Sequence, residues 1–301
     1  MKQMRIPLFI AWGVAILGIV LGSFFDLNIS TTIASKDNTF GLLISAIGPT
    51  IGFAAVALMG GGLIAFALKG NFHVALKVLF YVLAACCYGV AIYYPGGEYF
   101  GINGFYGVAP QWVGYLIVAL PEAGAVVGGY FLFKASPNKN MWIVFCSVIA
   151  LLLLVLLASI PTLKDLIHRP RYRLLATTDL AFHNWWEPTK NYKELMEHYN
   201  TVSDNFKSFP SGHTAEASIL LVAATFYPLA DKKLEKIQLP LFIASGCVVL
   251  LVAFARILAA AHFLSDVSFG AFLTLTFTII ANEAIIRIKP LHIEEKVPAN
   301  E

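Results

Sequence analysis

Residues 141–172, MWIVFCSVIALLLLVLLASIPTLKDLIHRPRY, contain the change in composition that decides the fold. The run Met141–Ile160 carries no charge, and about 20 apolar residues are what an α-helix needs to cross the hydrocarbon of a bilayer. Directly after it come Lys164, Arg169 and Arg171. The stretch therefore predicts a membrane-spanning helix that ends in a cationic segment.

Seven further segments have the same apolar character and length. They are Ile6–Phe25, Ile47–Leu68, Val78–Tyr94, Trp112–Phe133, His213–Leu229, Leu239–Ala255 and a last run from near Leu264 to near Ile286. The whole chain, 1–301, is therefore predicted to be a single integral membrane domain. Its expected fold class is all-α, a polytopic transmembrane bundle of about eight helices.

The composition excludes the common soluble classes. Hydrophobic residues make up 58% of the chain and charged residues 13%, whereas a soluble domain has about 25% charged residues. The 13% of aromatic residues argues against disorder, and a net charge of +3 gives no reason to expect a nucleic-acid partner. The four cysteines all lie in apolar runs, so no disulfide between polar loops is available.

The distribution of Lys and Arg sets the predicted orientation, because cytoplasmic loops carry an excess of these residues. With the N-terminus in the cytoplasm, the short outer loops 26–46 and 95–111 contain a single basic residue, Lys36. Eight spans return the C-terminus to the cytoplasm and make 161–212 an extracytoplasmic loop. We therefore expect an integral protein of the plasma (inner) membrane. The outer loop is nevertheless basic, with Lys164, Arg169, Arg171, Arg173, Lys190, Lys193 and Lys207.

Three groups of polar residues fall on the outer face in this topology. They are Lys164 with Arg169-Pro170-Arg171-Tyr172, then Phe209-Pro210-Ser211-Gly212-His213, then Arg256, His262 and Asp266. Arginine matches a phosphate bidentately, lysine acts as a point charge, and the N–H groups at a helix N-terminus favour an anion. Together the groups predict a site for phosphoryl transfer, with part of it carried by the loop 161–212.

The two histidines can divide the chemistry between them. A neutral imidazole can attack phosphorus, and a protonated one can donate to the departing oxygen. His262 and Asp266 are four residues apart, so on one helix they would share a face, and the carboxylate could fix the ring tautomer. His213 has no such carboxylate in the sequence, which favours it as the acid. The residues alone leave this division of roles open.

The order and spacing of these residues resemble the type 2 phosphatidic acid phosphatase superfamily, in its membrane lipid phosphate phosphatase branch. Its first motif, Lys, six residues, Arg-Pro, is matched by Lys164 and Arg171, with Tyr172 in place of the usual proline. Its second, Pro-Ser-Gly-His, is intact at 210–213. Its third, Ser-Arg, five residues, His, three residues, Asp, is matched by Arg256, His262 and Asp266, with Ala255 replacing the serine.

The resemblance implies a role for each matching residue. His262 would be the nucleophile that forms a phosphohistidine, oriented by Asp266, and His213 would protonate the leaving group. Two neighbours, Arg169 and His168, are further candidates for substrate contact. The residues implied in phosphate binding are Lys164, Arg171, Arg256, Ser211 and Gly212. The family needs no metal or other cofactor, and this sequence contains no metal-ligand cluster of its own.

The number of spans departs from the family pattern. Members typically have six spans, three of them before the first motif, whereas five precede it here. One helical hairpin, formed by the spans around Val78–Tyr94 and Trp112–Phe133, is therefore expected to be an addition to a six-helix phosphatase core.

Three function classes remain open. The first is a phosphatase for a lipid phosphate or an isoprenyl diphosphate delivered from the bilayer, with membrane lipids as its partners. The second is a phosphatase for a soluble phosphate ester, or a transferase that hands the phosphoryl group or headgroup to another acceptor. The third is a non-catalytic lipid-binding protein, which is disfavoured because His262, His213 and Asp266 are all present.

Two carboxylates lie inside predicted spans, and charges there are functional candidates by default. Glu122 follows Pro121, and the simpler interpretation is a protonated carboxyl group hydrogen-bonded inside the bundle. Glu216 lies one turn after His213, at a helix N-terminus where the dipole favours a carboxylate. We base no function on either residue.

Overall fold

The computed structural model describes residues 1–136, 139–229 and 232–287, and within these ranges the only regular structure is helical. The predicted cytoplasmic tail, 288–301, lies outside the described residues. The α-helices are α1 (Arg5–Ile33), α2 (Thr39–Lys69), α3 (Val74–Tyr99), α4 (Gln111–Ala135), α5 (Lys139–Ile167), α6 (Tyr172–Leu175), α7 (Tyr192–His198), α8 (Gly212–Ala217), α9 (Ile219–Phe226), α10 (Gln238–Leu258) and α11 (Leu264–Arg287). The predicted all-α polytopic bundle is confirmed.

Seven helices of the described ranges, α1 to α5, α10 and α11, are long and apolar enough to cross a membrane. Their outward faces are also apolar, with Leu120 80% exposed and Phe24 75% exposed. A continuous apolar surface of this kind suits contact with lipid rather than with water.

The sixth predicted span, 213–229, is not one continuous helix. It consists of α8, α9 and a short 3₁₀ turn, Tyr227–Leu229, with a break at Ser218. The Ser218 hydroxyl donates to the Thr214 carbonyl at 2.7 Å, and such back-bonding by serine bends a helix. The eight predicted spans are therefore seven long helices and one interrupted segment.

Helix α2 lies at the centre of the bundle and makes its closest contacts through glycines. A Cβ atom at Gly61 would lie 1.8 Å from the carbonyl oxygen of Val126 in α4, and one at Gly48 would lie 2.6 Å from the side chain of Val252 in α10. Small residues let membrane helices approach this closely. The hairpin α3–α4 packs on α2 and on itself, as expected for an addition beside a core of α1, α2, α5, α8–α9, α10 and α11.

Glu122 of α4 is fully buried in this hairpin region. Neither of its carboxylate oxygens has a hydrogen-bond partner among the described residues. The expected hydrogen bond inside the bundle is therefore not observed.

The polar connections meet at one end of the bundle, which we call the site end. Ser35 N donates to the Leu258 carbonyl at 2.8 Å, and Arg173 N donates to the Ala260 carbonyl at 2.9 Å. Arg173 Nη1 also donates to Asn103 Oδ1 at 3.1 Å. The segments brought together are 34–38, 100–110, 168–211 and 259–263.

Candidate active site

His262 lies in the short connection between α10 and α11, and both nitrogens of its ring have partners. Nδ1 lies 2.5 Å from the carbonyl oxygen of Ser208, and Nε2 lies 3.2 Å from Nη1 of Arg171. A carbonyl can only accept and a guanidinium can only donate, so the proton resides on Nδ1 and the lone pair on Nε2. Nε2 is therefore the ring atom whose lone pair is available to act as a nucleophile.

The charge state of His262 suits this role. Burial lowers the pKa of the imidazole well below its ordinary value, and the nearby guanidinium groups of Arg171 and Arg256 lower it further. The ring is 1% exposed. The neutral form, which is the nucleophilic one, therefore persists to acidic pH.

Asp266 does not hold the His262 ring directly. The Oδ2 atom of Asp266 lies 3.9 Å from Nδ1, beyond hydrogen-bond distance. Helix α11 begins at Leu264, so His262 precedes the helix and the two residues do not share a helix face. Asp266 Oδ2 instead accepts from Ser208 Oγ at 2.5 Å and from Phe263 N at 2.9 Å. The carboxylate therefore positions the residue whose carbonyl holds the ring.

Arg169 lies behind the connection 259–263, which we call the catalytic loop because it carries the candidate nucleophile His262. It belongs to a buried ionic cluster, the Asp26–Arg169–Asp266 cluster. Its Nη2 donates to Asp26 Oδ2 at 2.9 Å, and its Nη1 donates to Asp266 Oδ1 at 2.5 Å. Further bonds go to Ser265 Oγ at 2.8 Å and to the His183 carbonyl at 2.9 Å. With every nitrogen of its guanidinium engaged and none facing the cavity, Arg169 is a structural residue rather than a phosphate ligand.

His168, the other additional candidate, also lies away from the cavity. Its ring stacks on Tyr192 with a centroid separation of 3.6 Å. Its backbone has φ of 49°, a left-handed conformation in which the chain turns from α5 into residues 168–211, which we call the polar segment.

Three of the five phosphate-binding candidates line a cavity of about 310 Å³ at the site end. Lys164, Arg171 and Gly212 line it together with both candidate histidines. The guanidinium of Arg171 donates to the carbonyls of Ala261 and Asp204 at 2.9 and 2.8 Å, which fixes it beside His262.

Arg256 is a buried cation with unused hydrogen-bonding capacity in the described structure. It is fully buried, and its Nη1 donates to the Asn103 carbonyl at 3.3 Å. Its Nε and Nη2 atoms have no hydrogen-bond partner among the described residues. A buried, partly unpaired cation is unfavourable, and an anion in the neighbouring cavity would relieve that cost.

Ser211 acts as the N-cap of α8. Its hydroxyl accepts from Thr214 N at 3.4 Å and lies 3.1 Å from Thr214 Oγ1. Its carbonyl packs against α11, where a Cβ on Gly270 would lie 2.4 Å from the oxygen. Gly212, rather than the Ser211 hydroxyl, lines the cavity.

His213 lies in the first turn of α8 and faces the same cavity as His262. Its Nε2 lies 3.5 Å from Oε2 of Glu98, at the end of α3, and makes no hydrogen bond with the described residues. The two imidazoles are thus held apart by different elements, one beside a cation and the other beside a carboxylate.

Three residues near the cavity were not anticipated from the sequence. Glu98 faces His213, Asn103 contacts Arg256, and Asp204 bridges two arginines. Burial raises the pKa of Asp204, but its arginine neighbours outweigh burial and hold the pKa below its usual range. One feature of the sequence could have identified Glu98 as a candidate: it is the single charged residue of the loop 95–111.

Part of the cavity wall is apolar. The residues that form it are Phe53, Leu153, Leu156, Leu157, Ile160 and Ile219. Leu153 also lines a second, apolar cavity of about 500 Å³ between α2, α3 and α5. The polar pocket therefore borders hydrocarbon-lined space on its membrane side.

A metal site is not evident in the same region. Within the described ranges, no group of three or more His, Cys, Asp or Glu side chains is placed to share an ion.

Comparison with protein families gives one match. The family model described as the PAP2 superfamily matches residues 123–288. The matched range contains Lys164, His213, His262 and the rest of the three motifs, and it excludes Glu98. No curated protein and no solved structure matches the chain.

Proposed function

This chain belongs to the PAP2 superfamily, and we propose that it hydrolyses a lipid phosphate or an isoprenyl diphosphate at the outer membrane face through a phosphohistidine intermediate. Membership of the family and the long apolar helices make it a membrane phosphatase. The substrate class, the face and the intermediate are the proposal.

One observation carries the proposal: two histidines and an incompletely paired cationic group adjoin a cavity whose wall is partly apolar. Lys164 and Arg171 line the cavity, and Arg256 donates to Asn103 of the cavity wall while two of its nitrogens have no partner among the described residues. Such a site can bind a phosphate while the remainder of the substrate stays in an apolar medium. Leu153, shared by the two cavities, supports a long hydrocarbon chain as that remainder.

The first chemical step forms a bond between His262 Nε2 and phosphorus while the bond from phosphorus to the leaving oxygen breaks. Arg171 gives up its contact with Nε2 and donates to a phosphate oxygen. The imidazolium of His213 gives its proton to the leaving oxygen, so a lipid phosphate loses its alcohol and an isoprenyl diphosphate loses its isoprenyl monophosphate in protonated form. The cations around the cavity stabilise the negative charge of the transferring group.

The second step returns the enzyme to its starting state. A water molecule attacks phosphorus, the bond from phosphorus to Nε2 breaks, and His213 accepts a proton from the water. Inorganic phosphate leaves, and His262 is again a neutral imidazole with its Nδ1 proton directed at the Ser208 carbonyl. No oxidant, reductant or second substrate is consumed.

The proposed side of the membrane follows from the charge distribution. The site end contains the outer loops 26–46 and 95–111, which hold only Lys36 as a basic residue. Under the positive-inside rule these short loops face away from the cytoplasm, which supports an extracytoplasmic site.

Phosphate release by the detergent-purified protein tests the proposal. The substrates are phosphatidic acid, isoprenyl diphosphates, phosphatidylglycerol phosphate and a sugar phosphate. We expect release from a lipid substrate, and we expect the His262→Ala variant to lose both turnover and the acid-labile phosphoenzyme that marks phosphohistidine. His198→Ala, which changes an exposed histidine of α7, is the matched control.

Three other outcomes would each contradict a different part of the proposed function. Release from the sugar phosphate alone would replace the lipid substrate by a soluble ester. A phosphoenzyme without phosphate release would indicate a transferase that needs another acceptor. Full activity in His262→Ala would refute the nucleophile.

A further inference from the structure

The added hairpin α3–α4 reaches into the cavity at its site end. Glu98 lies in the last turn of α3 and lines the cavity, with Oε2 3.5 Å from His213 Nε2. Glu98 lies outside the range 123–288 matched by the family. The carboxylate is therefore a feature of this chain that the family match does not account for.

The position of Glu98 is fixed by contacts of the hairpin with the core. The Asn103 carbonyl accepts from Arg256 Nη1 at 3.3 Å, and Asn103 Oδ1 accepts from Arg173 Nη1 at 3.1 Å. Within the hairpin, Phe105 N donates to the Tyr99 carbonyl at 2.8 Å. These bonds tie the connection between α3 and α4 to both α10 and the polar segment.

A carboxylate in an anion-binding cavity is unfavourable for phosphate binding, because it repels the substrate. The charged groups around His213 give such a carboxylate a use, because most of them are cations that oppose protonation of the imidazole. The positive groups that act on it are Arg256 from α10, Lys164 from α5 and, when protonated, His262. Arg171 lines the same cavity from the polar segment. All of these groups disfavour a protonated imidazole.

Three carboxylates other than Glu98 line the cavity: Asp165, Asp204 and Glu216. Asp165 lies 3.9 Å from Lys207, which also lines the cavity. Glu216 lies on the same helix as His213, and Asp204 is already paired with Arg171 and Arg173. Glu98 is the one placed within 4.0 Å of the His213 ring in the described structure. An opposite charge at that distance favours the charged form of the ring.

We propose that Glu98 is a positioning residue that favours the protonated form of His213 against the surrounding cations, so that His213 can act as the acid in this cavity. The inference rests on the proposed function, in which His213 protonates the leaving oxygen. The proton stays on the imidazole until that oxygen takes it, and Glu98 remains a carboxylate throughout. The hairpin α3–α4 thus contributes a residue that assists departure of the leaving group.

The direct test is a titration of His213 by ¹⁵N-histidine NMR in detergent, assigned with His213→Gln. We expect Glu98→Gln to move the titration of His213 to lower pH by about 1 unit or more, and Glu98→Asp to move it less. Glu197→Gln, which removes the same charge from an exposed position on α7, should leave it unchanged. An unchanged titration in Glu98→Gln would overturn the inference.

A kinetic test uses leaving groups of different basicity. Phosphatidic acid must expel an alkoxide and needs an acid, whereas p-nitrophenyl phosphate expels a phenolate that leaves without one. At pH 8 we expect Glu98→Gln to lose about tenfold or more of its kcat on phosphatidic acid, several-fold more than on p-nitrophenyl phosphate. The loss should shrink at pH 6, where His213 is more fully protonated. Equal losses on both substrates at both pH values would indicate a merely structural role.

The two measurements separate the inference from the proposed function. If the wild-type protein releases no phosphate from any substrate but the titration shifts, the proposed function fails and the Glu98–His213 pair stands. If phosphate is released and the titration does not shift, the phosphatase stands and the role of Glu98 is refuted. The Glu98→Asp variant, which keeps the charge, shows whether loss of folding explains the result.

Discussion

Replacing Arg169 by methionine removes the cation from the Asp26–Arg169–Asp266 cluster while keeping a side chain of similar length. Arg169 is 0% exposed, and its guanidinium donates to two carboxylates, at 2.9 and 2.5 Å. The variant leaves Asp26 and Asp266 buried with a reduced set of donors. Asp26 retains Ser265, and Asp266 retains the donors that fix the catalytic loop.

The expected loss is large because both partners lie away from solvent. Breaking a buried ion pair by removing one member costs about 3–5 kcal/mol, since a desolvated charge is left without compensation. Removing one of the remaining charges should recover part of this loss. The double variant Asp26→Asn/Arg169→Met is therefore expected to be more stable than Arg169→Met, with a non-additive term of about 0.5–3 kcal/mol.

The assay is equilibrium unfolding in mixed micelles, with increasing mole fraction of SDS and tryptophan fluorescence as the signal. Trp185 stacks on Phe209 with a centroid separation of 5.4 Å, so its emission reports on packing beside the catalytic loop. The matched control is Arg5→Met at the other end of the bundle. Arg5 pairs with Glu283, and their side chains are 45% and 23% exposed, so its loss should barely move the transition.

The same experiment distinguishes a structural Arg169 from a phosphate ligand. A structural residue gives a shifted unfolding transition, with activity falling because Asp266, which accepts from Ser208 through Oδ2, loses the partner that holds its Oδ1 atom. A phosphate ligand gives an unshifted transition and a raised KM. An Arg169→Met variant that unfolds at the same SDS fraction as Arg5→Met would refute the buried-cluster argument.

Three further predictions concern pH, packing and topology. Because His262 must be neutral to attack and its pKa is lowered, log(kcat/KM) should not decline as the pH falls through 6.5. A decline centred at the ordinary histidine pKa would contradict the assigned environment. Gly270→Ala should reduce kcat strongly, because the new Cβ would lie 2.4 Å from the carbonyl oxygen of Ser211. Gly246→Ala, whose new Cβ has nothing within 4 Å, should leave kcat unchanged, and equal activities of the two variants would refute the tight contact. In intact cells, an impermeant maleimide should label Lys190→Cys and spare Lys77→Cys, and the reverse pattern would invert the proposed topology.

Much of the fold could be predicted because membrane helices are specified locally. A run such as Met141–Ile160 is apolar along its whole length, and its length alone identifies a span. The interruption at Ser218 was missed, because a serine within an apolar run looks the same whether it bonds back to its own helix or not. Composition therefore predicts which segments span the membrane more accurately than it predicts whether each segment is one continuous helix.

The candidate site could be predicted in its motifs but not in its connections. The spacing of His262 and Asp266 suggested a direct contact, yet α11 begins between them, and the Ser208 carbonyl takes the ring proton instead. Asp26 and Glu98 were missed because their partners lie far along the chain. Contacts of that kind depend on how helices pack and have no local signature.

The Asp26–Arg169–Asp266 cluster also bears on how the protein is made. Asp26 follows the apolar run of the first helix, and Ser265, which binds the same carboxylate, lies 239 positions later in the chain. During synthesis Asp26 must enter the membrane long before α5 or α11 has left the ribosome. Its charge is neutralised by Arg169 only after five helices are in place, and the cluster closes only when the last helix arrives. A nascent chain that stalls before Arg169 thus leaves Asp26 unpaired, and one that stalls before α11 leaves Arg169 without Asp266 and Ser265, so the cluster is complete only when the final span is in place.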